Sequence, residues 1–365
     1  MRVLSVAYPF AAVTEATPGG AEQILLKLVQ KLNSLGHDCG VVAADGSQTA
    51  GRLWEGPATD GVIDEVKREC VYEQYRQTLD RAITEFKPDV IHCHGLDFNK
   101  YIDETIAAPV LATLHLPVKW YDAAAFEPKD NIFFNCVSRH QYFTCGPCEQ
   151  NLGYIENGVE FCEPNLERVS KRNYVLCLGR ICPEKGYHLA IDAAQMAGVD
   201  LILAGKLFGY PAHQRYYFEQ ICPRLKRAGV KFIESVGGSV KAELIRNAKC
   251  VCVPSLVEET SGLAAMEAMA AGTPVVAFGA GALVEIIEHG RTGYIVGDEY
   301  EMARAIMICE DIDPRACIEL AKARFSLDRM AAEYVGLYEN IVKRQKKQAG
   351  GQSSENAVII ADDIP

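Results

Sequence analysis

The chain alternates short apolar runs with helix-patterned stretches, and it does so twice. Strand-like runs at 3–8, 40–44, 90–93, 110–114 and 132–137 enclose helical patterns at 20–35 and 62–86. A charged stretch without a strand pattern follows at 163–173. The alternation then restarts, with strands at 174–178, 200–204, 231–233, 250–253, 274–278 and 294–296. Helical patterns at 186–197, 215–228, 240–248, 263–271 and 283–288 lie between them. Such alternation predicts doubly wound parallel sheets, whose ligands bind beyond the carboxyl ends of the strands. Two rounds of it predict two α/β domains facing a central cleft, 1–162 and 174–325, joined by a linker at 163–173. A last helix is expected at 326–347. The polar, aperiodic remainder, 348–365, reads as a disordered tail.

Composition narrows the function classes. The 365 residues are 49% hydrophobic and 23% charged, enough for two cores, and the net charge of -11 argues against a general nucleic-acid binder. The opening MRVLSVAYPF is too short and too polar-flanked for a secretory signal and reads as a first buried strand. No apolar run approaches the roughly 20 residues of a membrane helix. Many of the 14 cysteines, Cys93, Cys136, Cys177, Cys250 and Cys252 among them, stand inside apolar strands. That scatter fits free core thiols in a reducing cytoplasm. The basic end of the last helix, Lys343, Arg344, Lys346 and Lys347, is read as a solvated helix end, with peripheral contact at the inner membrane face as the alternative.

Residues 253–277, VPSLVEETSGLAAMEAMAAGTPVVA, concentrate the chemistry. An apolar strand gives way to Glu258 and Glu259. Thr260, Ser261 and Gly262 then suit a helix start at Leu263, and Gly272 and Pro274 end that helix. Glu267 lies eight positions after Glu259, about 12 Å along a helix axis. Backbone N–H groups and the positive helix end between them suit a diphosphate, and each carboxylate can accept paired hydrogen bonds from vicinal hydroxyls. The competing reading is two solvated glutamates.

Other strand ends carry matching groups. Gly19 and Gly20 stand between the first strand and first helix, where a phosphate can approach the backbone, or they serve only as loop and cap. His92, His94 and His115 fall at or just after strand ends, with His115 the preferred ligand contact. Arg180 and Lys185 follow the first strand of the second domain, and Lys206 follows its second, as cations for a diphosphate or as surface ion pairs. Cys145 and Cys148 have redox-pair spacing, and Cys136 with His140 could complete a zinc set. Ordinary free thiols are the simpler reading. Asp311 and Asp313 lie in a late helical region and read as a solvated turn.

Taken together, Gly19-Gly20-x-Glu22, Pro88 to His92, Asn157-Gly158-Val159, Gly179-Arg180 with Lys185-Gly186, and Glu259 with Glu267 resemble the family 4 retaining glycosyltransferases of the GT-B fold. The resemblance extends over about residues 1–345. The stretch from Ile181 to Lys206 is similar to a subgroup linked to UDP-glucose and to natural-product or polysaccharide assembly. The resemblance implies that Gly20 presents its backbone to the distal phosphate and that Arg180 and Lys185 neutralise the departing diphosphate. It implies that Glu259 holds the donor sugar and Glu267 the ribose, that Thr260 to Leu263 offer N–H groups, and that His115 sits beside the anomeric centre. The last helix would brace the first domain. No metal and no resident cofactor is implied, only a nucleoside-diphosphate sugar as co-substrate. The acceptor, a glycan, lipid-linked sugar or small molecule, is left open. Ser261 stands where many members carry Phe, and Glu234 where they carry Gly. A non-catalytic sugar-nucleotide-binding protein of the same fold is the alternative.

Overall fold

The computed structural model describes residues 1–59, 61, 63–161, 174–234 and 236–349; the side chains of 347–349 are not described. The linker expected at 163–173 and the tail from 350 onward lie outside the described residues. Contacts divide the chain into two units: Met1–Glu156 with the stretch from Leu327 onward, and Asn157–Ser326. The division falls at Glu156/Asn157, ahead of the 162/163 boundary read from the sequence.

The first unit is built on a seven-stranded parallel sheet. Its strands are β1 (Arg2–Val6), β2 (Asp38–Ala43), β3 (Arg52–Glu55), β4 (Val90–Cys93), β5 (Val110–Leu114), β6 (Ile132–Cys136) and β7 (Asn151–Tyr154), in spatial order 3-2-1-4-5-6-7. The register sets Val3 beside Val90 and Val110 beside Ile132. Strands β4, β5 and β6 are buried along their whole length, which explains their continuous apolar runs: both faces of a parallel sheet are covered by helices. The long helix Glu65–Phe86 is capped by the Asp64 side chain, which accepts from the Lys67 amide at 2.8 Å. It buries Tyr72, Tyr75, Leu79, Ala82 and Phe86 at three- and four-residue spacing.

The second unit carries a six-stranded parallel sheet of β8 (Tyr174–Leu178), β9 (Asp200–Gly205), β10 (Val230–Glu234), β11 (Cys250–Val253), β12 (Val275–Phe278) and β13 (Gly293–Val296), in order 10-9-8-11-12-13. In both sheets the order reverses beside the first strand, between β1 and β4 and between β8 and β11. These are the switch points at which open α/β sheets bind ligands. The helical pattern at 215–228 is broken in the structure. A helix at Pro211–Tyr216 runs into a π-helical turn at Tyr217–Ile221 before Cys222–Leu225, because Pro223 has no amide to keep the regular ladder going.

The last helix, Leu327–Ala349, belongs to the first unit. It buries Met330, Ala331, Tyr334, Tyr338 and Ile341, again at three- and four-residue spacing. Its two tyrosines close a buried polar network under the sheet. Tyr338 Oη lies 2.7 Å from His92 Nδ1, and His92 Nε2 lies 2.7 Å from Thr113 Oγ1. Thr113 donates to Asn135 Oδ1 at 2.8 Å and stands 3.1 Å from Tyr334 Oη. Each buried polar group there has a partner, which is the condition for a polar network to stabilise a core. His92 is thereby assigned to structure.

Candidate active site

The clearest chemistry gathers at the β8/β11 switch point. A loop leaves β8 at Gly179 and Arg180 and closes into a tight helical turn, Pro183–Lys185. Gly205, at the end of β9, has no room for a side chain: a Cβ there would lie 1.7 Å from the Gly179 carbonyl oxygen. That close approach lets Ile181 donate to Lys206 O at 2.9 Å and carries the strand pairing into the loop. The turn is then tied to the loop after β11, since Leu256 donates its amide to Glu184 O at 2.8 Å. Two adjacent strands thus deliver their loops to one place.

There, Lys185 Nζ pairs with Glu259 Oε1. Both side chains are mostly buried, at 24% and 12% exposure, so the pair is screened far less than a surface one. Burial by itself would raise the Glu259 carboxyl. Lys185, a Ser255 hydrogen bond and the Arg180 charge outweigh it and hold the group below the ordinary carboxylate range. Glu259 is therefore an acceptor-only carboxylate at neutral pH, mostly buried.

The helix after this loop runs Leu263–Ala270, close to the expected 263–271, and starts from Gly262 in the left-handed region, φ 68°. Glu259 is not on it. The residue bridges to Gly281, with its carbonyl accepting from the Ala282 amide at 2.8 Å. The 12 Å axial spacing inferred for Glu259 and Glu267 assumed one continuous helix and does not apply. Glu267 does lie on the helix, and its Oε1 accepts from Lys241 Nζ at 2.6 Å. Ser261 is buried and accepts from Asn157 Nδ2 at 2.7 Å, so its hydroxyl is already anchored to the chain. Thr260 and Leu263 flank this turn, both half-buried. Lys206 is exposed, its Nζ 5.3 Å from the Phe208 ring centroid. Sequence reasoning missed Lys241 and Asn157 as partners. Each lies far along the chain from the residue it holds, and no local pattern marks either.

In the first unit, Gly19 caps the helix Gly20–Ser34 with an extended backbone, and the Glu22 side chain folds back over Gly19 so closely that a Cβ there would meet it at 1.9 Å. Gly19 and Gly20 follow β1, and His94 follows β4, at that sheet's own switch point. His115 follows β5 and stacks on His94, with His94 Nδ1 2.9 Å from His115 Nε2. Burial pushes His115 down to about 3 and His94 well below its ordinary value. Both rings are neutral at physiological pH. His115 can orient a ligand by hydrogen bonding but carries no proton to donate as a cation. Trp120 is 38% exposed and Tyr121 buried, with Tyr121 Oη accepting from the Leu116 amide at 3.3 Å.

Cys145 and Cys148 form no disulfide, and among the described residues Cys136, His140, Cys145 and Cys148 do not gather three donors within reach of one ion. Asp313 caps the helix Pro314–Arg324 by accepting from the Arg315 amide at 2.9 Å, a structural role. Among the described residues, no helix is long and apolar enough to cross a membrane.

Comparison with known proteins adds the family. Residues 160–322 match the model of glycosyl transferases group 1, and residues 18–142 match that of Glycosyltransferase Family 4. The two matches together take in more than two thirds of the chain. Each model takes in less than half of the chain, and together they support a glycosyltransferase of the family 4 type. An uncharacterized glycosyltransferase of Methanocaldococcus jannaschii is 37% identical over 165 residues, 40% of each chain. Curated relatives are matched over as little as 33% to 42% of their own length in four cases, and over 91% in another. The sucrose-phosphate synthase of Thermosynechococcus elongatus superposes with a TM-score of 0.74 at 20% identity, covering 94% of this chain and 99% of that one. The Anabaena protein HepE in complex with UDP-glucose superposes at 0.69 and 20% identity, covering 92% and 100%. At those identities the likeness establishes the fold, which is GT-B.

Proposed function

We propose that this glycosyltransferase is a retaining enzyme that moves a hexose, glucose by preference, from a nucleoside-diphosphate sugar, UDP-glucose by preference, to a hydroxyl acceptor. The acceptor would be a glycan, a lipid-linked sugar or a small molecule. The observation that carries the reading is the Lys185–Glu259 pair at the β8/β11 switch point, with Arg180 on the same loop. Departure of a nucleoside diphosphate builds negative charge at the β-phosphate. A cation and first-turn helix amides set there beforehand interact more strongly with the transition state than with the bound donor. Lys185 and Arg180 would meet that charge, and Glu259, freed from Lys185, would accept hydroxyls of the sugar. Glu267 would hold the ribose in exchange for Lys241, and Gly19, Gly20 and His115 would act from the first unit. In a front-face route the leaving phosphate oxygen accepts the acceptor's proton, so no protein nucleophile is needed. Nucleotide-sugar donors named with a relative such as HepE support the donor class.

The test is a thermal-shift panel of nucleotide sugars followed by donor hydrolysis without added magnesium or manganese. UDP-glucose should raise the melting temperature most, since a ligand stabilises by its affinity for the folded state. Slow release of glucose should accompany it. Binding of UDP with neither hydrolysis nor transfer to a broad acceptor panel would mark a non-catalytic binding protein.

A further inference from the structure

The turn that carries Lys185 has a second face. Cys182 begins it, Glu184 sits in its middle, and His213 comes to it from the helix Pro211–Tyr216. One donor atom from each of the three lies within 4.8 Å of the others. Donors sharing a tetrahedral zinc at its usual bond lengths stand roughly 3.3–3.6 Å apart, so small side-chain adjustments would close this set on one ion. Cys182 is fully buried and His213 nine-tenths buried. His213 Nδ1 and Glu184 Oε2 are both buried without a hydrogen-bond partner. A buried polar atom left unpaired costs about 1–3 kcal/mol, and here two of them stand beside a thiol. The rings of Phe208 and Tyr210 stand edge-on to His213, with centroids 6.4 and 5.1 Å from it, and wall it from solvent.

We propose that Cys182, Glu184 and His213 bind one zinc ion, which fixes the 182–186 turn that carries Lys185. The donor chemistry selects the ion. Thiolate with imidazole and carboxylate suits zinc, whereas magnesium and calcium prefer oxygen alone. Charge agrees: a thiolate and a carboxylate neutralise a divalent ion, so Arg180 nearby faces no net positive centre. Binding displaces the Cys182 thiol proton to solvent, and water takes the fourth position. The proposal does not depend on the donor or on turnover.

The experiment loads chelator-stripped full-length protein with cobalt(II) and reads the thiolate-to-cobalt charge-transfer band, then competes zinc in against a chromophoric chelator. One equivalent per chain is expected. Cys182→Ser should abolish the band and weaken zinc at least tenfold. His213→Gln should weaken zinc at least tenfold and leave the band. A Cys145→Ser/Cys148→Ser double variant should match the wild type in both readings. No stoichiometric binding by the wild type, or unchanged zinc affinity in folded Cys182→Ser, overturns the proposal. Loss of the band in the Cys145/Cys148 variant assigns the ion to that pair and overturns it equally. Should His213→Gln not fold, X-ray absorption at the zinc edge of the wild type decides. One sulfur neighbour near roughly 2.3 Å with nitrogen or oxygen near roughly 2.0 Å supports the site, and two or more sulfurs refute it.

Discussion

The two units place polar residues at the same topological position and use them in opposite ways. At the carboxyl ends of the first sheet the groups are histidines, buried and neutral, with His92 locked to Thr113 and to Tyr338 of the last helix. At the corresponding ends of the second sheet the groups are charged pairs, Lys185 with Glu259 and Lys241 with Glu267, each partly open to solvent. A buried neutral network stabilises by being complete, so it gains nothing from a ligand. A partly buried ion pair leaves charged members that a ligand of matching charge can engage. The contrast fits a folding role for the first set and, under the proposed function, a chemical role for the second. His115 and His94, at the edge of the neutral set, are where the two roles meet.

Acid should break this comparison first. His92, His94 and His115 are all pushed down by burial, so the unfolded chain binds protons that the folded one refuses. Their contribution is fully present above the unfolded histidine value near 6.5 and is lost as pH falls below it, about 1.4 kcal/mol per pH unit for each. Asp97 works the other way. Burial raises its carboxyl to about 6, so the folded state holds that proton more tightly between roughly pH 4 and 6 and offsets one histidine. These four groups together contribute a loss of roughly 2.7 kcal/mol per pH unit over that window. Urea denaturation at pH 7, 6 and 5 measures it. Equal stability at all three values would mean that the rings ionise in place.

Tyr338→Phe comes next. It leaves His92 Nδ1 buried without its partner, and destabilisation of about 1–3 kcal/mol is expected, with donor affinity unchanged. A changed donor affinity at unchanged stability would move His92 and the last helix to the chemical side of the comparison. In the charged set the reverse pattern is expected. Lys185→Ala and Glu259→Ala should each lower turnover at least tenfold, about 1.4 kcal/mol or more in transition-state stabilisation, with a smaller effect on folding. Steady-state rates with UDP-glucose check it, and wild-type rates in both variants would remove the pair from the site. Lys241→Met frees Glu267 and should change the Michaelis constant for the donor by a few-fold, with little change in kcat.

Alternation and strand-end chemistry made the architecture legible, because a parallel strand buried on both faces has to be apolar throughout. The helix at 263–270 was equally readable from Gly262 and Gly272. Two short strands, Arg52–Glu55 and Asn151–Tyr154, were missed, since both are short edge strands whose pairing supplies what their composition lacks. Arg180, Lys185 and Glu259 were legible as strand-end charges, and the structure brings the last two into contact. Lys241 and Asn157 were not, because a partner found across dozens of residues leaves no local trace. Nor could spacing reveal that Glu259 sits in a bridge to Gly281 instead of on a helix. His213 was invisible as a donor for the same reason: it meets Cys182 only when the broken helix after β9 folds back.

The smallest effect belongs to the Cys145-Gly146-Pro147-Cys148 segment, and it tests the comparison from outside both sets. Cys145 lies at the end of the short helix Arg139–Cys145, with a hydrogen bond to the buried Cys136 that pulls its thiol below the ordinary value. Cys148 hydrogen-bonds Gln150 Oε1 at 3.2 Å. Both pack half-buried against the first core. Serine keeps a hydroxyl at each position and removes only a few apolar contacts, so the double variant should cost less than about 1 kcal/mol in stability. Transfer and its response to oxidants should match the wild type. Activity lost in that variant, or restored to the wild type by a thiol reductant, would give the first unit a chemistry of its own and end the division of roles between the two sheets.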